Sequence, residues 1–253
     1  MKTVRSAIRQ AIFSKDFLIG WIGVIFVVLV SSVPDVFEAL RAGGSLPNAF
    51  HHSLIEKAIA SDAMTLALPI LAALPFTASF VNDQKSGFIK YYLHRTDRKH
   101  YMAGKGLACW ISGGSVLVLG LLASYVFFAV AFLPMEDPAA KEVGDSLFSA
   151  GLMRSLVLVF LSGAFWSLCG ITLAAMSGSR YMAYASPFIV YYVLIILHER
   201  YFDQCYFLYP KEWIHPSSRW MLGEWGVILL LLGLTAALAA VFFCTVKRRI
   251  SQL

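Results

Sequence analysis

Six long apolar stretches divide this 253-residue chain, and no other feature of the sequence restricts its fold as strongly. Each stretch has about 20 residues, the length at which an α-helix crosses the roughly 30 Å hydrocarbon core of a bilayer. The six stretches are residues 17–33, 63–81, 106–133, 155–177, 181–197 and 225–246. The sequence therefore predicts an all-α integral membrane protein with six transmembrane helices.

The gaps between the stretches alternate in charge. The N-terminal tail, the second loop, the fourth loop and the C-terminal tail together hold 14 of the 21 Lys and Arg residues and only three of the 15 Asp and Glu residues. One side of the membrane thus carries a formal charge of +11 and the other −5, which gives the net charge of +6. Because basic loops remain in the cytoplasm, both termini are predicted to be cytoplasmic.

Composition leaves no room for a separate soluble domain. Hydrophobic residues make up 58% of the chain and charged residues 14%, whereas about a quarter of the residues in a soluble domain are charged. The longest gaps, residues 34–62 and 198–224, are too short to bury a core of their own. We expect a single transmembrane domain over residues 1–253.

The predicted spans contain no ionisable side chain. Asp, Glu, Lys, Arg and His are all absent from the six stretches, although such residues mark most proton relays and ion pathways inside membranes. Their absence argues against a proton-coupled carrier and against most intramembrane enzymes, so no catalytic residue is predicted. The histidines have no metal-ligand spacing, so they are predicted to be surface residues and no metal site is expected.

Small residues and prolines indicate how the spans pack. The fourth stretch has small residues at positions i, i+4, i+7 and i+11, which are Gly163, Ser167, Gly170 and Ala174. Such a stripe lets helix backbones approach closely in lipid, either within the chain or at a subunit interface. Pro69 and Pro75 predict a kink in the second span, and Pro187 predicts one in the fifth.

The loop between the second and third spans, residues 82–105, has the pattern of two helices. Asn82 or Asp83 is predicted to cap a short amphipathic helix, and Thr96 or Asp97 a second helix that runs into the third span. The apolar face of the short helix is formed by Phe88, Ile89, Tyr92 and Leu93. Basic residues surround that face, so this helix either lies on anionic headgroups or docks on a protein.

Two further segments have the composition of a membrane interface. Residues 1–16 predict an amphipathic helix with apolar residues on one face and Lys2, Arg5 and Arg9 on the other. Residues 198–224 are rich in Tyr, Phe and Trp, whose rings favour the headgroup level. This second segment forms either an aromatic belt or short helices that enter the outer leaflet.

The cytoplasmic loop and the overall layout resemble the permease subunits of bacterial ABC transporters of the type-2 exporter class. The loop motif is carried by Asp83, Gly87, Arg95, Arg98, Tyr101 and Lys105. The resemblance implies that residues 1–16 form an elbow helix and that the loop holds a coupling helix docked on an ATPase. The coupling residues would be Asp83, Gly87, Phe88, Ile89, Tyr92, Leu93 and Arg95.

The same resemblance implies the partners and the location. This chain lacks the phosphate-loop motif G-x-x-x-x-G-K-[ST], so ATP and Mg²⁺ would bind a separate cytoplasmic ABC ATPase dimer. A second permease, identical or homologous, would complete a transporter in the bacterial cell membrane, and no nucleic-acid partner is expected. The uncharged spans suit an amphipathic or hydrophobic cargo such as a peptide, an antibiotic or a lipid.

Two other functions remain open from the sequence. An intramembrane hydrolase or lipid-modifying enzyme would need polar groups at the span ends, and His198 with Glu199 is an available pair. A non-transporting immunity or sensing protein could share the same architecture. An adjacent gene for a phosphate-loop ATPase would favour the exporter over both.

Overall fold

The computed structural model describes residues 2–42, 46–93, 97–136, 150–217, 219–220 and 222–251. This part of the chain contains no β-strand, and its regular structure is helical. Its α-helices are α1 (Lys2–Ile12), α2 (Lys15–Ala42), α3 (Phe50–Ala60), α4 (Asp62–Ala73), α5 (Ser79–Lys85), α6 (Phe88–Leu93), α7 (Arg98–Phe132), α8 (Ala150–Ser177), α9 (Arg180–Arg200) and α10 (Glu224–Ser251). The prediction of an all-α protein is confirmed.

Five of the described helices, α2, α7, α8, α9 and α10, are long and apolar enough to cross a membrane. They coincide with five of the six predicted stretches, so by helix length and composition this is a multi-pass membrane protein. Each helix extends past its apolar stretch, because helical backbone hydrogen bonding continues into the polar margins. α2, for example, passes through Pro34 and ends at Ala42, inside the predicted outer segment.

The second predicted span differs from the others because it consists of two short helices. α4 ends at Ala73 and α5 begins at Ser79. Pro75 has no N–H to donate and its ring clashes with the preceding turn, so the helix is interrupted where a kink was predicted. The hydroxyl of Thr77 donates a hydrogen bond to the carbonyl oxygen of Ala73, which compensates part of the backbone bonding lost there. α4 also contains Pro69 and is continuous through it.

α8 is the central helix of the fold. It packs against α7, α10, α9, α4 and α5, and every residue from 161 to 172 is buried. The other long helices each expose much of their surface, as expected for helices that face lipid. The buried polar residues of α8, which include Ser162, Ser167 and Thr172, lie in contact with protein and away from lipid.

The two ends of the molecule are assembled from different elements. We call one the basic end, where α1, α5, α6, the start of α7 and the close of α10 meet around Phe80, Tyr101 and Val246. The opposite end contains α3, the start of α4 and the segment before α10, packed around Leu54 and Trp213. The tails and loops counted above as basic meet at the basic end.

The predicted amphipathic helix at the N-terminus is present as α1. Its Arg5 and Arg9 side chains are exposed, whereas Ala11 is completely buried at the basic end. α1 therefore packs on α7 as well as presenting a charged face. The hydroxyl of Ser14 accepts a hydrogen bond of 3.0 Å from the N–H of Phe17, which caps the start of α2.

Candidate functional site

The most distinctive local structure at the basic end is a helical hairpin made of α5, α6 and the start of α7. α5 ends at Lys85, and Gly87 reverses the chain with a φ of 72°, a left-handed conformation that glycine adopts without steric cost. α6 follows immediately. Asp97 then caps α7 by accepting a hydrogen bond from the N–H of Lys99, as the sequence predicted.

One predicted cap is wrong. Asn82 and Asp83 were expected to begin the short helix of the loop, but both lie inside α5. The short helix begins instead at Phe88, after the Gly87 turn. The apolar run of the second stretch continues as helix up to Lys85, so Asp83 is turned toward α7 rather than toward the backbone N–H groups of α6.

Asp83 joins α5 to α7 through a partly buried polar cluster. Its Oδ2 atom accepts a hydrogen bond of 2.8 Å from the hydroxyl of Tyr101 and forms an ion pair of 2.8 Å with Nζ of Lys105. The ammonium of Lys105 also lies 4.8 Å from the ring centroid of Phe76 and 5.9 Å from that of Tyr101. Asp83 is thereby brought together with two other residues of the predicted loop motif, which follow it by 18 and 22 positions.

Two polar cavities flank this ion pair. One of about 320 Å³ lies beneath α1 and is lined by Gln10, Asp83, Phe88 and His100, among others. The other, of about 160 Å³, lies by the break between α4 and α5 and includes Asp16, Asp83 and Lys105 in its lining. Asp83 and Lys105 line both cavities, and the Lys105 side chain is only 8% exposed.

α6 is fixed on one side and exposed on the other. Ile89 is 1% exposed and packs in the core of the basic end. Phe88 is 46% exposed and Tyr91 is 80% exposed. Among the described side chains of α6, the exposed apolar surface comes from Phe88 and Tyr91, whereas the sequence had assigned Ile89 to that surface and had not included Tyr91.

The remaining predicted coupling residues are only partly visible. The backbones of Tyr92 and Leu93 belong to α6, but their side chains lie outside the described structure, as does all of Arg95. Gly87 forms the turn before α6 and Asp83 holds the hairpin to α7, so both act on the position of α6 rather than on its exposed surface.

The four small residues of the fourth stretch are buried inside the chain. A Cβ atom at Gly163 would lie 2.5 Å from Leu117 Cδ1 and 2.8 Å from a backbone oxygen of α7. A Cβ atom at Gly170 would lie 2.7 Å from the backbone oxygen of Ala183 in α9. Ser167 and Ala174 are fully buried, so the stripe is covered by this chain's own helices.

The opposite end contains a polar cluster that sequence reasoning missed. His51 was predicted to be on the surface, yet it is 7% exposed. Its backbone N–H lies 3.0 Å and its ring Nδ1 2.7 Å from Oε1 of Glu136, while its Nε2 lies 3.4 Å from the hydroxyl of Tyr125. Burial alone would raise the pKa of Glu136, but the hydrogen bonds and charge of His51 lower it below its ordinary value.

The aromatic segment before α10 enters the bundle at the opposite end. It forms two short 3₁₀ helices, Tyr206–Leu208 and Pro210–Trp213. Trp213 is 1% exposed and stacks on Trp166 of α8, with ring centroids 5.7 Å apart. Lys211 pairs with Asp62 at 2.9 Å, and this hydrogen bond raises the pKa of Lys211. Of the two alternatives, short helices describe the segment better than a simple belt.

No family model, no curated protein and no solved structure matches this chain. Within the described residues, no group of three His, Cys, Asp or Glu side chains is placed to hold a metal ion. The geometry of the basic end is consequently the main guide to function.

Proposed function

We propose that this chain is the membrane-spanning permease subunit of an ATP-driven exporter, and that α6 is the helix that couples it to a separate ATPase. The observation that carries the proposal is α6 itself. It is a short helix at the basic end, anchored by Ile89, that leaves Tyr91 80% and Phe88 46% exposed. The loop motif supports the same interpretation, since Asp83, Tyr101 and Lys105 form one cluster at its base.

In this proposal α4 and α5 together form the second span, which completes the set of six. The start of α4 lies at the opposite end, where Asp62 pairs with Lys211, and α5 reaches the basic end, where Asp83 pairs with Lys105. Their combined path therefore joins the same two ends as the five long helices. With six spans, the basic residues on alternate gaps predict that both termini and α6 are cytoplasmic.

The buried ion pair gives α6 a route for transmitting force. Closure of an ATPase dimer would push on Phe88 and Tyr91, and the short Gly87 turn would pass the movement to α5. From there Asp83 would pull on Lys105 of α7. The break at residues 74–78 lets α5 move as a separate rigid piece relative to α4, a hinge of the kind that supports alternation between two packings.

The proposed complex contains two permeases, identical or homologous, and two ATPase subunits in a bacterial cell membrane. The chain itself would perform no ATP chemistry. Because the spans carry few charges, the cargo would be amphipathic or hydrophobic, such as a peptide, an antibiotic or a lipid.

The test measures binding of the ATPase to wild-type and altered α6. The partner is first identified as a co-purifying protein with a phosphate-loop sequence, and its affinity for the permease in nanodiscs is then titrated. The double variant F88A/Y91A is expected to bind at least about thirtyfold more weakly, since truncating a buried aromatic anchor costs about 2 kcal/mol or more.

A matched control removes the same two residue types elsewhere at the basic end. Phe13 is 81% exposed and Tyr181 is 86% exposed, and neither belongs to α6, so F13A/Y181A is expected to retain full affinity. Equal affinities for the two double variants would remove α6 from the interface. ATP turnover by the isolated chain, or failure of any phosphate-loop protein to co-purify, would contradict the exporter proposal itself.

A further inference from the structure

An apolar groove runs along the outside of the bundle between α7 and α10. Its volume is about 390 Å³, and it is lined by Ala103, Gly106, Leu107, Trp110, Leu168, Leu232, Thr235, Ala236, Ala239, Phe242 and Phe243. The hydroxyl of Thr235 is directed to the backbone oxygen of Leu232 at 2.9 Å. Because both walls belong to candidate membrane spans, the groove lies at the depth of the hydrocarbon core.

A separate basic cavity lies beyond the groove, toward the basic end of the same two helices. It has a volume of about 340 Å³ and is lined by Arg98, Cys244, Lys247, Arg248 and Ser251. Cys244 directly follows the last groove residue of α10, and Arg98 lies five residues, about one and a half helical turns, before the first groove residue of α7.

The three basic side chains at this mouth are available to an anion. Arg98, Lys247 and Arg248 are all exposed, and none of them belongs to a salt bridge in the part of the chain that the structure describes. Asp97, the nearest acid in sequence, pairs with His100 and caps α7.

The groove follows α10 from Leu232 to Phe243, a length of about 16 Å. It is lined mainly by apolar side chains and opens on the outside of two candidate membrane spans, where acyl chains are the surrounding solvent. An apolar chain at this depth, joined to a negative group at the basic mouth, has the chemistry of an anionic phospholipid.

We propose that the groove between α7 and α10 binds one anionic phospholipid, with an acyl chain against Trp110 and the phosphate at Arg98, Lys247 and Arg248. In the orientation proposed above, this lipid belongs to the cytoplasmic leaflet. The site does not depend on the ATPase, so it stands or falls independently of the transport function.

Trp110 provides a direct probe, because bromine on an acyl chain quenches tryptophan fluorescence on contact. The protein is placed in mixed phosphatidylcholine and phosphatidylglycerol vesicles, with bromine on the chains of one lipid and then of the other. The Trp110 signal is the difference between the wild-type protein and W110F. Brominated phosphatidylglycerol is expected to quench the Trp110 signal at least about fivefold more per mole than brominated phosphatidylcholine. One basic residue near an anionic surface raises the affinity for it by roughly fivefold.

Two pairs of variants separate headgroup recognition from groove filling. R98Q/K247Q/R248Q should abolish the preference for phosphatidylglycerol, whereas R5Q/R9Q/K15Q, which removes the same charge from the same end, should preserve it. A236F fills the groove and should reduce quenching by both lipids. A237F changes an exposed neighbour that does not line the groove and should leave quenching unaltered.

Two outcomes would overturn the proposal. Equal quenching by both lipids, unaffected by the basic triple variant, would mean that the groove contacts bulk lipid without selecting a headgroup. Quenching by neither lipid would mean that the groove is covered, and chemical cross-linking between single cysteines at position 236 would then show whether a second copy of the chain covers it.

Discussion

Replacing Asp83 with Asn tests whether the buried ion pair holds the hairpin to α7. In the wild-type protein the carboxylate of Asp83 lies 2.8 Å from the ammonium of Lys105, whose side chain is 8% exposed. The variant keeps the size of the side chain and removes its charge. Lys105 would then lack its counter-charge, although the amide oxygen of the new side chain can still accept a hydrogen bond and the ring of Phe76 lies 4.8 Å away.

The expected cost follows from these contacts. Removing one partner of a buried ion pair typically costs about 3 to 5 kcal/mol. The Asp83 side chain is 20% exposed, and the two aromatic rings still attract the ammonium by about 0.5 to 2 kcal/mol, which reduces the loss. We expect D83N to lower the unfolding free energy by about 2 kcal/mol, equal to a fall in Tm of about 4 to 8 °C.

The assay is a thermal melt in detergent, supported by a double-mutant cycle with K105M. D83N/K105M should recover part of the stability, because no uncompensated charge remains, and the coupling energy should exceed about 1 kcal/mol. K57M is the control, since Lys57 is 61% exposed and pairs with Asp35 on the surface, where such pairs contribute less than about 1 kcal/mol. Additive effects in the cycle, or a D83N loss no greater than that of K57M, would refute the structural role of the pair.

Three further predictions concern pH, packing and topology. The pKa of Glu136 lies below its ordinary value of 4.5. The stability that ionised Glu136 gives to the fold should therefore be complete above pH 4.5 and should be lost as the pH falls through the lowered pKa. E136Q should flatten the acid side of a profile of Tm against pH. G113A should lower the unfolding free energy by about 2 kcal/mol or more in thermal melts, since its Cβ would lie 3.0 Å from a backbone oxygen. G233A places its Cβ in open space and should be neutral or slightly stabilising. Equal Tm values for the two variants would contradict the packing. On a cysteine-free background, K90C should react with an impermeant thiol reagent only from inside, and a retained Cys205 only from outside; the reverse pattern would contradict the proposed orientation.

Local composition determined where the long helices form. Five of the six apolar stretches correspond to long helices, and Asp97 begins α7 as its sequence context predicted. The reason is that a lipid environment forces each apolar segment to satisfy its own backbone hydrogen bonds, so helix formation depends on neighbouring residues. Pro75 likewise marked a disturbance in the second stretch, although the sequence indicated a kink and not a break.

Tertiary contacts decided which polar residues became buried. Lys105 stands just before the third apolar stretch and was assigned to the loop; it is buried where Asp83, 22 residues earlier, supplies its counter-charge. His51 became a core residue for the same reason, since Glu136 lies against it from 85 positions away. Ile89 faces inward because the Gly87 turn places α6 against the core of the basic end. Hydrophobicity is a sum over neighbouring residues and can be calculated from the sequence, whereas the burial of a charge depends on a partner that only the folded arrangement of helices brings within reach.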